Sequence, residues 1–195
     1  MKHPYATALS VDSTKTARRN TRTGQTDWQL YYEIGDQAAL QMIAGSSLLP
    51  PHLLITTSEE SARELGITLL ESEYPESGGW RNHRVSVVDI ESDFLLYEQA
   101  QQFPVYASLN LYIVSGIVMM RFGSALMNRL TIVGTCPGNS ESEAFRNFKE
   151  RYLDRSFPSD FRVGFAAKIR PVRPEVIRFW RRESLKPILA TAESG

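Results

Sequence analysis

Two runs of strict alternation constrain this chain most. Val105, Ala107, Leu109, Leu111 and Ile113 alternate with Tyr106, Ser108, Asn110 and Tyr112. Phe161, Val163, Phe165, Ala167 and Ile169 alternate in the same way with Arg162, Gly164, Ala166 and Lys168. A period of two is that of a strand with two distinct faces. Between the runs, residues 117–122 and 129–135 are rich in apolar and branched side chains, and the joins are short. Parallel neighbours need a crossover of about a dozen residues or more, so these segments predict an antiparallel meander. The fold class expected is α+β: a mostly antiparallel sheet, with a small barrel as one way to close it, and helices packed on one side.

Helix signals fall between and after these runs. Ser140 and Glu143 have capping-box spacing and predict a helix to residue 155. Its Ala144, Phe145, Phe148 and Tyr152 share one arc, a face for the sheet. Pro174 suits a first helical turn, and the helix after it has Val176, Ile177, Phe179 and Trp180 on one arc and Arg178, Arg181 and Arg182 on the other. The first half reads less clearly. It predicts strands over 28–34, 52–56, 67–70 and 84–90, and a short helix after Asp36 ended by Gly45. A helix over 59–65 opens at Thr57-Ser58-Glu59-Glu60 and stops at Gly66, and another, capped by Ser92, runs over 93–102. Residues 73–82 read as a surface loop.

The 195 residues suit one domain. Residues 1–26, rich in Thr, Ser, Lys and Arg, read as a mobile basic arm; 27–189 form the domain and 190–195 a flexible tail. The lone cysteine, Cys136, excludes an internal disulfide. No signal-peptide stretch stands in residues 1–20, and the longest apolar run, 113–120, is too short to span a bilayer. A soluble, cytoplasmic protein with no membrane contact is expected.

Chemistry is sparsely signalled. The three histidines, His3, His52 and His83, stand at no metal-site spacing, Cys136 has no sulfur neighbour, and neither hydrolase nor nucleotide-binding motifs occur. The sequence therefore nominates no catalytic residue and no metal ligand. Cys136 reads as a partly buried, inert thiol, and the acidic clusters Glu71, Glu73, Glu76 and Asp89, Glu91, Asp93 as solvated loop edges.

Charge is the strongest signal. The formal net charge is zero, but residues 24–145 carry five arginines against fifteen acids, whereas 146–186 carry twelve Lys/Arg against five acids. Arg162, Lys168 and Arg170 project from one face of a predicted strand, and Arg178, Arg181 and Arg182 line the helix after it. Convergence of these six would make a site for an anion. The function expected is a non-enzymatic binding or regulatory protein whose basic C-terminal face engages nucleic acid or an acidic protein surface.

Arg129-Leu-Thr-Ile-Val-Gly134, the acidic-capped helix, the alternating strand and Val176-Ile-Arg-Phe-Trp180 together resemble the last third of the pyridoxamine-phosphate-oxidase-like split β-barrels. The resemblance covers about fifty residues; the opening strand pair around an Asp-Gly-x-Pro turn is missing. It implies an alternative: a homodimeric, FMN-binding oxidoreductase barrel, its flavin phosphate held by Arg and Lys.

Overall fold

The computed structural model describes residues 1–13, 30–34, 46–123 and 126–182. In chain order these form β1 (His3–Ser13), β2 (Leu30–Ile34), β3 (Ser46–Leu48), β4 (His52–Thr56), α1 (Glu59–Glu73), β5 (Trp80–Asp89), α2 (Glu91–Ala100), β6 (Asn110–Phe122), β7 (Leu126–Gly138), α3 (Glu141–Phe148), β8 (Arg162–Pro171) and a last helix, α4, over 174–182. The class is α+β, and every strand pairing among the described residues is antiparallel.

There are two sheets rather than one. In the first, β1 is central, with β5 on one edge and β3 and β4 sharing the other. The second has the order β2-β8-β6-β7. No pairing between described strands joins them, so they stay two open sheets and no barrel closes. They lie face to face, tied by a 2.6 Å hydrogen bond between the hydroxyls of Ser10 and Thr131. Helices cover both outer faces rather than one side. Ala62 and Leu70 of α1 pack on Tyr5, Leu9 and Val11, and Ala144 and Phe148 of α3 pack on Val114, Val118 and Phe165. Phe94 and Tyr97 of α2 join Ile177 and Trp180 of α4 in closing one end of the inter-sheet core, over Ala6, Ala8, Leu111, Ile113 and Val133.

Residues 3–13 are thus the middle of a sheet, not a mobile arm. In β1 the larger Tyr5, Leu9 and Val11 face α1, while small Ala6, Ala8 and Ser10 face the other sheet and leave room for aromatic rings. Lys15 to Arg22, which give the N-terminal stretch its basic character, lie outside the described residues, as do the 36–45 helix and the 190–195 tail.

Other boundaries moved for identifiable reasons. α1 continues through Gly66 and absorbs the expected strand over 67–70. A Cβ at Gly66 would lie 2.9 Å from Val85 Cγ1 and 3.0 Å from Leu9 Cδ2, so the glycine permits close helix–sheet contact rather than ending the helix. β6 begins only at Asn110; Pro104–Tyr106 is a 3-10 turn and Val105 is 78% exposed. The strand then runs unbroken through Ser115-Gly116, because Gly116 accommodates Phe165, whose Cε2 would lie 2.5 Å from a Cβ there. Ser140 caps as expected, its Oγ accepting from Glu143 N at 3.2 Å, whereas the cap of α1 is Ser58, one residue past Thr57, with its Oγ accepting from Ser61 N at 3.1 Å. Ser92 does not cap α2: the helix begins at Glu91, after Ile90, with no side-chain cap, and Ser92 lies within it.

Candidate functional site

The geometry of α4 starts at its buried side. Ile177 and Trp180 sink into the inter-sheet core, Trp180 meets Phe94 edge-on at 5.8 Å, and its Nε1 donates to Lys2 O at 3.0 Å. With that face fixed, Arg178, Arg181 and Arg182 turn outward and, with Glu98 of α2 and Glu175, line a shallow groove. Arg178 Nη2 donates to Glu175 Oε1 at 3.1 Å, and Arg181 Nη1 donates to Glu98 Oε2. The Glu98 hydrogen bond holds the Arg181 guanidinium above its ordinary pKa. Arg182 has no ion pair among the described residues. Phe179, expected on the buried arc, is instead half exposed beside these arginines. Leu95 and Leu96 of α2 are exposed too, and Leu96 most of all.

The other three expected anion ligands lie elsewhere. Across β6 and β8 the register shifts between Met119↔Gly164 and Met120↔Arg162, which leaves Val163 as an extra residue. Such a bulge turns the strand over locally. Arg162 therefore shares the α3 face with Met120, and its Nη1 donates to Asp154 Oδ1 at 2.9 Å. It does not project with Lys168 and Arg170, and it stands at the end of β8 remote from α4, about 30 Å along an extended strand. Lys168 and Arg170 face away from α3, since Phe165, Ala167 and Ile169 take that side. Lys168 lies opposite Ser115, and Arg170 stands near enough to His52 to depress its pKa, secondarily to burial. The structure thus brings together the α4 trio and places Arg162, and the pair Lys168 and Arg170, in separate surroundings.

Burial lowers the Lys168 ammonium to about 8. Unfolded, it returns to its ordinary value of 10.5. Between these values the unfolded chain binds the extra proton, so stability rises with pH across that window. Urea unfolding at pH 7.5 and 9.5 should show this rise, and Lys168→Met should flatten it. A wild-type stability that is flat or falling over the window would refute the assignment.

Cys136 is buried on the α3 face, and burial pushes its thiol up to about 12, which suits an inert side chain and not a nucleophile. A buried ion cluster went unread in the sequence. Asp12 of β1 accepts from Arg84 at 3.0 and 3.1 Å, from Arg129 Nη1 at 2.8 Å and from Asn82 at 3.0 Å. Arg129 belongs to β7, so this cluster is a second tie between the sheets. Two arginines that converge on one buried carboxylate between the sheets serve the structure.

No protein-family model matches the chain, and no curated protein or solved structure matches it either.

Proposed function

We propose that the protein is a binding or regulatory module whose α4 groove engages an anionic partner, an acidic protein surface. The observation that carries this reading is the set of three outward arginines on a helix whose opposite face is locked into the core. Arginine beside the exposed Phe179 of the same helix is the composition of a protein–protein contact.

The test uses fluorescence anisotropy with labelled polyglutamate, single-stranded DNA and duplex DNA at two salt concentrations. The wild type should bind polyglutamate with salt-sensitive affinity and prefer it to DNA. The variant Arg178→Ala/Arg181→Ala/Arg182→Ala should melt within a few degrees of the parent, since all three side chains are exposed, and lose at least tenfold in affinity. Tighter binding to DNA would make the partner a nucleic acid. No binding at low salt would remove the reading, and an absorption band near roughly 450 nm in the purified protein would replace it with the flavin alternative.

A further inference from the structure

We propose that His3, Asp89 and Glu91 form a binding site for a divalent first-row transition-metal ion at the junction of β1, β5 and α2. The three come from distant parts of the sequence, and backbone pairing sets them side by side. Tyr5 pairs with Asp89 across β1 and β5, and Ile90 N donates to Pro4 O at 3.0 Å. One ligand atom from each residue, a histidine nitrogen and two carboxylate oxygens, falls within a sphere in which all lie within 4.8 Å of one another. His3 Nδ1 is 2.7 Å from Glu91 Oε2, and the Glu91 N–H donates to Asp89 Oδ1 at 2.9 Å, which orients that carboxylate.

A further observation points to a cation. Neither Asp89 nor Glu91 has a Lys or Arg partner among the described residues.

The donor set selects the ion. One imidazole and two carboxylates suit Zn²⁺, Mn²⁺ or Co²⁺, whereas Ca²⁺ needs about six to eight oxygens. With ligand bonds of about 2.0–2.2 Å, two donors on one tetrahedral ion stand roughly 3.4 Å apart. The His3–Glu91 contact must therefore widen slightly, and both side chains are about a third exposed and free to do so. Three protein ligands leave coordination positions open to water or to an oxygen ligand.

Isothermal titration of the intact chain with Zn²⁺ and Mn²⁺, and the visible absorption of added Co²⁺, test the site. One equivalent of each ion should bind, and Ca²⁺ at the same concentration should not. Because a histidine alone can hold zinc weakly, the carboxylate variants carry the decision. Asp89→Asn and Glu91→Gln, each checked for native circular dichroism, should lose at least tenfold in affinity, whereas His52→Ala should bind as the wild type does. If the wild type takes up none of these ions, or if both carboxylate variants bind them unchanged, the site does not exist. Polyanion binding at α4 is read separately and stands or falls on its own.

Discussion

Asp12→Ala is expected to lower the unfolding free energy by about 3 kcal/mol, because it strands two guanidinium groups beside a sheet interface. Asp12 is 2% exposed, and its two oxygens accept from Arg84 and Arg129 together with Asn82. Arg84 and Arg129 keep some contact with water, which places the cost at the lower end of the range for a broken buried pair. Burial lowers the Arg129 pKa and nearby Asp12 counteracts it, so removing the carboxylate leaves only the unfavourable part. Urea unfolding at neutral pH measures the effect. The combined variant Asp12→Leu/Arg84→Met/Arg129→Met removes all three charges and should recover most of the loss, since no charge is left without its partner. A single variant as stable as the wild type would show that water already satisfies both arginines.

Phe148→Ala should cost about 3–5 kcal/mol, the usual penalty for emptying a fully buried aromatic site. Phe148 has no exposed surface, stacks on Phe165 with centroids 6.2 Å apart, and lies 5.0 Å from the Tyr152 ring. Phe165 in turn fills the space above Gly116, so the cavity would open at the middle of the second sheet. Phe148→Leu keeps most of the volume and should cost under about 1.5 kcal/mol. Equal losses for the two substitutions would indicate a change in backbone rather than a cavity.

Where one face of an element is large and apolar and the other polar, the sequence was enough. The arc of Ala144, Phe145 and Phe148 in α3, continued by Tyr152 in the π-helical turn Lys149–Leu153, packs on the sheet, and Ile177 and Trp180 of α4 are buried as their spacing requires. Ser140 caps its helix, and Phe165, Ala167 and Ile169 share one face of β8 as their alternation requires, whereas Phe161 precedes the strand, half exposed, and Val163 turns to the other face. These are local effects: a side chain and its neighbours within a few residues decide them. The division into two sheets, the helices on both outer faces and the role of β1 were settled by tertiary contact. β1 alternates large with small side chains instead of apolar with polar, since both of its faces are buried. Gly66 looked like a stop because nothing in sequence shows that Val85 and Leu9 lie against it. One extra residue, Val163, turned Arg162 from the side of Lys168 toward Asp154, and Lys168 and Arg170 stand by Ser115 and His52 rather than in the α4 groove, so the six cations do not converge. Composition fixed where positive charge is plentiful, but only the fold decided which arginines meet a carboxylate and which face water. His3, Asp89 and Glu91 meet for the same reason, through strand pairing across more than eighty residues of chain, a distance over which no spacing rule operates.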